Sequence, residues 1–248
     1  MTGSTEPVSK YLTAEGSIVT IEDHGHDLSS PWDSSVRIRT KRPYGGVPDG
    51  LQLRELHIAR RGNYDYVIEH VIGAPDVEVV DAQGGQYLIA RSSISEEQGL
   101  ALWRGDWHEI ATWMPESSMP SSEALRYFAD LDFADSELGL RVVARDPAVH
   151  SVETREVSKR VPGVGFLDIY PPSEGVNWVP SWAGARVASG EVWRKDQGPD
   201  DEGRPTELLV LANASAVALL TGDLNRKHEV DSRVRFLDSV RKVSWTQD

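Results

Sequence analysis

The sequence predicts a β-rich α+β fold, in which mostly antiparallel sheet carries two short helices docked on it. Most of the chain alternates apolar and polar residues with a period of two, as half-buried strands do. Pairs of turn-forming residues, such as Gly45-Gly46 and Pro171-Pro172, separate the alternating segments. Strands joined by short turns usually pair antiparallel, so these observations favour antiparallel sheet.

The alternation gives predicted strands along the whole chain. The segment 64–72 is typical, because its tyrosines and isoleucines all fall on even-numbered positions and therefore on one face of a strand. The predicted strands cover residues 16–21, 36–40, 51–60, 64–72, 77–80, 86–91, 100–103, 108–114, 138–145, 154–161, 165–170, 190–194, 207–212, 216–221 and 242–245. A glycine- and proline-rich segment at 195–205 is predicted to be a mobile loop.

Two segments have helical spacing instead. Residues 121–131 begin with serines that can cap a helix, and they place Ala124 and Phe128 along one stripe. Residues 231–240 begin at Asp231, which is also a favourable N-cap residue. Helices this short are stable only when they pack on something else, so we expect both to dock on sheet.

The two helices belong to stretches that resemble each other. Residues 84–133 and 184–243 share the same predicted order of elements, and the helical sequences RYFADL and RFLDSV lie 109 residues apart. This predicts either two pseudo-repeated β-β-β-α-β halves, 1–140 and 141–248, or one continuous domain. The alternative is that similar β-rich units resemble each other by chance.

The composition disfavours several classes of protein. Acidic residues outnumber basic ones by 39 to 26, and a net charge of −13 is unfavourable for binding nucleic acid or an anionic membrane. Without cysteine the chain has no disulfide, no thiolate nucleophile and no cysteine-based zinc site. The longest apolar stretch, 208–220, is too short to span a bilayer, and the polar first ten residues do not resemble a signal peptide. We therefore expect a cytoplasmic protein, and the excess of arginine over lysine suggests a GC-rich bacterial genome.

A first candidate site is the sequence Glu-Asp-His-Gly-His-Asp at the end of a predicted strand. His24 and His26 have the spacing with which two imidazoles bind Zn²⁺, Fe²⁺ or Mn²⁺, and Asp27 or Glu22 would add a carboxylate. A divalent metal is the one cofactor that the sequence suggests. The simpler interpretation is a polar loop leaving a strand.

A second candidate is the pair formed by Tyr66 and His70. If residues 64–72 form a strand, both side chains line one face, where they would serve as general acid and base once water is excluded. The simpler interpretation, which we favour, is an aromatic core face with one hydrogen-bonded histidine.

A third candidate is the sequence around Trp178 and Trp182, which lies between two predicted strands. Asn177 and the neighbouring proline do not continue either strand, so this segment is predicted to form an aromatic loop. An exposed loop of this kind would bind a protein partner or a small-molecule ligand, because tryptophan is common at binding hot spots. If it is buried, the loop closes one end of the sheet.

The chain has no complete catalytic motif, phosphate-binding loop or nucleophile elbow. The sequence therefore favours a non-catalytic binding or adaptor protein that uses the aromatic loop and a sheet surface. The alternative is an enzyme on a β-rich scaffold, either metal-dependent through His24 and His26 or using His70 with Tyr66 as acid and base. A structural part of a phage or injection machine is a third hypothesis.

Overall fold

The structure, a computed structural model, describes residues 7–41, 53–74, 76–82, 84–93, 99–199, 205–222 and 230–247. Strands account for 56% of it and helices for 15%, so the fold is a β-rich α+β fold. The chain divides into two compact units. We call Leu12–Gly16 with Asp33–Thr154 the central unit, and Met1–Tyr11, Ser17–Trp32 and Arg155–Asp248 the terminal unit.

The elements follow one another in a long series of strands interrupted by short helices. The strands are β1 (Val8–Leu12), β2 (Ile18–Asp23), β3 (Trp32–Thr40), β4 (Leu53–Arg60), β5 (Val77–Ala82), β6 (Gly85–Arg91), β7 (Gly99–Arg104), β8 (His108–Met114), β9 (Leu131–Ser136), β10 (Gly139–Ala144), β11 (His150–Val161), β12 (Gly165–Tyr170), β13 (Ala185–Val187), β14 (Gly190–Pro199), β15 (Pro205–Ala212), β16 (Val217–Thr221) and β17 (Val240–Thr246). The helices are α1 (Asn63–Tyr66), α2 (Ser121–Ala124), α3 (Pro172–Gly175) and α4 (Val230–Ser239).

In the central unit, strands lie side by side in the order β3-β4-β8-β7-β6-β5, and β9 pairs with β10 separately. The pairings described between these neighbours are antiparallel. Alternate side chains of the strands enter a core on each side of the sheet, as a sheet covered on both faces requires. One core includes Val36, Ile38, Leu56, Ile58, Trp103, Phe128, Leu140 and Val142, and the other includes Ile68, Ile72, Leu88, Ala90, Leu100 and Leu102.

In the terminal unit, the order is β13-β14-β15-β16-β12-β11, and a second set of strands has the order β1-β2-β17. The larger core includes side chains of both sets and of α4: Val19, Ile21, Val157, Leu167, Ile169, Leu209, Leu220, Phe236, Leu237 and Val243. On the opposite face of β12, β14, β15 and β16 lies a smaller core of Trp193, Leu208, Val210, Val217 and Leu219. This smaller core supports the candidate site.

The turn between β15 and β16 depends on one carboxamide. The Asn213 amide nitrogen donates to the backbone oxygens of Ser189 (2.8 Å) and Val243 (3.0 Å). Its side-chain oxygen accepts the backbone N–H of Ser215 (2.8 Å) and of Ala216 (3.1 Å). One side chain therefore ties the hairpin to β17 and to the turn before β14.

Both predicted helices are present in the structure, although the first is short. The predicted helix at 231–240 corresponds to α4, which is offset by one residue. The predicted helix at 121–131 consists of α2 followed by the 3₁₀ turn Leu125–Tyr127, and β9 already begins at Leu131. Phe128 is nevertheless fully buried, as the predicted apolar stripe requires.

The strand predicted at 64–72 is wrong. This segment consists of α1 followed by a π-helical turn at Val67–Ile72. Gly62 (φ +88°) precedes α1, and Gly73 (φ +60°) follows the π-helical turn. Even-numbered positions share a face in a strand, but positions four apart also share a face in a helix, so the same residues satisfy both patterns. The glycines on either side are the signal that distinguishes the two.

The loop predicted at 195–205 is also partly wrong. Residues 195–199 belong to β14, and their pairing with β15 continues through a register shift between Asp196 and Gly198. The rest of the predicted loop up to β15, residues 200–204, lies outside the described residues. Alternating charges and glycines at this edge obscured the strand pattern in the sequence.

Candidate binding surface

The connection between β12 and β13 carries the candidate binding residues Asn177, Trp178 and Trp182. Pro171 is extended (ψ 152°) and Pro172 begins α3, where a missing N–H costs nothing because the first helical N–H groups have no partner within the helix. A 3₁₀ turn, Val176–Trp178, follows at once. We call residues 172–182 the aromatic loop.

The start of the aromatic loop is held against the sheet by close backbone packing. A Cβ atom added to Gly175 would lie 2.5 Å from Cβ of Val217 and 3.1 Å from Cβ of Tyr170. Because real Cβ atoms essentially never come as close as the 2.5 Å to Val217, only glycine fits here without displacing α3 from β16. The loop therefore leaves the sheet from a fixed position.

Trp178 anchors the middle of the loop. Its half-buried ring packs against the smaller core of the terminal unit. The ammonium group of Lys195 on β14 lies 5.5 Å from the centre of this ring and donates a 3.3 Å hydrogen bond to the backbone oxygen of Trp178. Both contacts attach the loop to β14.

Trp182 combines a fixed backbone with an exposed ring. Its backbone oxygen accepts a 2.7 Å hydrogen bond from Nε1 of Trp193, whose own ring is buried. The Trp182 side chain is nevertheless 63% exposed, and Val176 in the same loop is 59% exposed. Asn177, which lies directly before Trp178, is exposed as well. The sequence-predicted residues therefore separate into one anchor, Trp178, and two outward-facing side chains, Asn177 and Trp182.

A polar strip lies beside the loop on the same side of the sheet. Ser158 on β11 is opposite Asp168 on β12, and its hydroxyl donates a 2.7 Å hydrogen bond to the Asp168 carboxylate. Burial, together with the charge of Glu156, raises the pKa of Asp168. Burial and a hydrogen bond with Glu156 likewise raise the pKa of Tyr170.

Sequence reasoning missed this strip. The alternation predicts the strand at 165–170, but it does not indicate that Asp168 has a hydrogen-bonding partner. The pairing of Ser158 with Asp168 depends on the register between two strands, and a single sequence does not determine that register.

The structure places the two histidines of the metal candidate in different environments. His24 is largely exposed and its Nε2 lies 3.2 Å from a Glu22 carboxylate oxygen. The Nδ1 of His26 lies 2.9 Å from the buried carboxylate of Asp23, which also accepts the backbone N–H groups of Gly25 (3.1 Å) and His26 (2.7 Å).

Asp23, which the histidine spacing does not mark as a site residue, is therefore the residue that orients His26. Burial alone would raise the pKa of the Asp23 carboxyl, but hydrogen bonds from Ser239 and His26 hold it below its usual value. Asp27 is exposed and accepts the backbone N–H of Ser29 at 2.9 Å. Among the described residues, no group of three or more His, Cys, Asp or Glu side chains is arranged to hold a metal ion.

Tyr66 and His70 lie together on the outside of the helical segment rather than along a strand. Their ring centres are 4.6 Å apart, and the Tyr66 side chain is 66% exposed. The His70 Nε2 is 3.8 Å from a carboxylate oxygen of Glu69. The structure thus brings the two rings into contact on an open surface.

No protein-family model, curated protein or solved structure matches this chain. In the described part of the chain, no helix has the length and apolar character needed to cross a membrane.

Proposed function

We propose that this protein is a non-catalytic binding protein, which engages a partner protein through the aromatic loop and the sheet face beside it. The observation that carries the proposal is Trp182, whose ring is exposed while its backbone is hydrogen-bonded to the buried Trp193. A side chain presented from an ordered backbone loses little conformational entropy on binding. Tryptophan is also the residue most enriched among binding hot spots.

The surface is wide enough for a protein partner. It extends from the polar strip on β11 and β12 to the aromatic loop above β14, which spans four strand spacings or about 19 Å. Val176 and Trp182 supply exposed apolar area, and Glu156 and Asp168 supply carboxylates. Together with the net charge of −13, this composition favours a partner with a positively charged surface.

We also propose that the two units arose by internal duplication. The strand order β3-β4-β8-β7-β6-β5 of the central unit has the same pattern as β11-β12-β16-β15-β14-β13 of the terminal unit. In each unit a helical connection follows the second strand, and a further helix follows the sixth, at α2 and α4. This agreement in topology supports the proposal more strongly than the few identical residues do.

The test compares three forms of the full chain as baits in a lysate of the source organism. Wild type and Val234→Ala should retain the same protein, whereas Trp182→Ala should not. Val234 is the matched control because it is 50% exposed but lies on α4, away from the aromatic loop. The retained protein is then purified and titrated calorimetrically against each form.

We expect Trp182→Ala to weaken binding at least about tenfold, as hot-spot tryptophans do, with an unchanged melting temperature. Equal affinities for Trp182→Ala and wild type would refute the proposed surface. A large fall in the melting temperature of Trp182→Ala would show instead that the ring has a structural role.

A second candidate function is acid–base catalysis by His26. The buried Asp23 carboxylate fixes the Nδ1 side of the ring, and no described residue hydrogen-bonds to Nε2, which is the arrangement of a histidine poised to transfer a proton. Asp23→Asn should then change the rate at which His26 reacts with diethyl pyrocarbonate, followed by mass spectrometry, because the ring loses the carboxylate that orients it. An unchanged rate would remove the support for this candidate.

A further inference from the structure

The central unit has its own connection at the position that the aromatic loop occupies in the terminal unit. In both units this connection follows the second strand and precedes the third, and in the central unit it consists of α1 and the π-helical turn Val67–Ile72. It packs on strands β6 and β7. We call residues 63–72 the helical connection.

The helical connection has an anchored side and an exposed side. Ile68 and Ile72 are buried in the core formed with Leu88, Leu100 and other strand residues. On the outer side, Tyr66 is 66% exposed and Val71 is 50% exposed. The terminal unit has the same division, with Trp178 packed on the core and Val176 and Trp182 exposed.

We infer that the helical connection is a second docking surface, centred on Tyr66 and Val71, for the same class of partner that the aromatic loop binds. This inference rests on the proposed function. A duplicated scaffold that uses one connection to bind a partner presents the equivalent connection of its other unit to a second copy of the same binding segment. The protein is then bivalent, and each chain binds two such segments.

The chemistry of the exposed groups indicates which segment fits. Glu69 lies beside Tyr66 with its side chain 75% exposed, whereas the Asp65 carboxylate on the other side already pairs with Arg104 at 2.7 Å. An aromatic ring beside a carboxylate suits a guanidinium group, which stacks on the ring and pairs with the acid. The partner segment therefore alternates arginine with aliphatic residues, which would contact Val71 or Val176.

The chain itself shows how readily its aromatic rings accept cations. Arg60 lies 5.0 Å from the ring centre of Trp107, and Lys159 lies 4.7 Å from that of Trp32. Within the described residues, no such cation lies over Tyr66 or Trp182. Tyr66 and Trp182 are 66% and 63% exposed, so a partner's arginine can reach both rings.

The experiment titrates the full chain with a synthetic peptide of six Arg-Leu repeats in a calorimeter. We expect two peptides per chain at about 0.15 M salt, where long-range charge attraction is screened beyond about 8 Å. Tyr66→Ala and Trp182→Ala should each reduce the stoichiometry to one, and the double variant should bind none. Val234→Ala, with a similarly exposed side chain on α4, is the control and should bind two.

The outcomes separate this inference from the proposed function. A single peptide per wild-type chain, lost in Trp182→Ala and kept in Tyr66→Ala, would overturn the second surface and leave the first. A single peptide lost only in Tyr66→Ala would overturn the proposed function at the aromatic loop. Binding that neither substitution affects would be charge attraction alone and would overturn both.

Discussion

Lys159 provides a quantitative test of the packing in the terminal unit. This side chain is only 1% exposed, and its ammonium group donates hydrogen bonds to the backbone oxygen of Leu28 and to the hydroxyl of Ser9 (3.2 Å). It also lies over the ring of Trp32. Burial lowers the pKa of Lys159 from 10.5 to about 8, and the charge of Asp27 opposes this only in part.

The lowered pKa has a definite consequence for stability. Between about pH 8 and pH 10.5, the unfolded chain binds a proton at Lys159 that the folded chain has released, so the free energy of unfolding rises with pH. A shift of about 2.5 pH units corresponds to roughly 3 kcal/mol. Lys159→Met removes this contribution. Between about pH 8 and pH 10.5, the free energy of unfolding of wild type should therefore rise by roughly 3 kcal/mol relative to that of Lys159→Met.

The assay is urea denaturation followed by far-ultraviolet circular dichroism at intervals from pH 7 to pH 11. Tyrosines and other lysines titrate in wild type and variant alike, so their effects cancel in the difference. Lys242→Met, at an exposed position on β17, is the matched control for the loss of a surface charge. A constant difference between wild type and Lys159→Met at every pH would show that the ammonium group is solvated, and would refute the packing described here.

Three further predictions concern individual side chains. Gly175→Ala should lower the free energy of unfolding by about 1–3 kcal/mol, because its Cβ would lie 2.5 Å from Val217, and thermal denaturation measures this. Asn213→Ala should lower it by about 2–4 kcal/mol in urea denaturation, because the carboxamide donates to two backbone oxygens and accepts backbone N–H groups. Asp135 accepts the ring N–H of His108 at 2.9 Å. Burial alone would raise the pKa of Asp135, but its hydrogen bonds hold that pKa below 3.8. Wild type should therefore lose this stabilisation as the pH falls below about 3.8. Asp135→Asn should be less stable than wild type at pH 7, and its acid transition, followed by circular dichroism, should be shallower.

The strands were largely predictable from sequence because a half-buried strand alternates apolar and polar residues along the chain. The predicted segments 108–114 and 165–170 coincide with β8 and β12. The segment 64–72 misled because burial at positions 68 and 72 is compatible with both a period of two and one helical turn. In such a case the choice depends on the backbone at the ends, where Gly62 and Gly73 adopt positive φ.

The candidate surface was predictable only in part. The tryptophans of the aromatic loop could be recognised from the sequence, because they lie close together between two predicted strands. It did not distinguish Trp178 from Trp182, since that difference arises from Lys195 and Trp193, which follow later in the chain on β14. The role of Asp23 was missed for a similar reason, because its burial depends on the pairing of β2 with β17 at the other end of the sequence.

Calorimetric titration of wild type, Trp182→Ala and Val234→Ala with the purified partner protein tests directly whether the aromatic loop is the binding surface. Binding through this loop predicts that Trp182→Ala binds at least about tenfold more weakly, while Val234→Ala binds like wild type and all three melt at the same temperature. Equal affinity of Trp182→Ala and wild type would contradict it, because the exposed ring on a fixed backbone would then contribute nothing to binding.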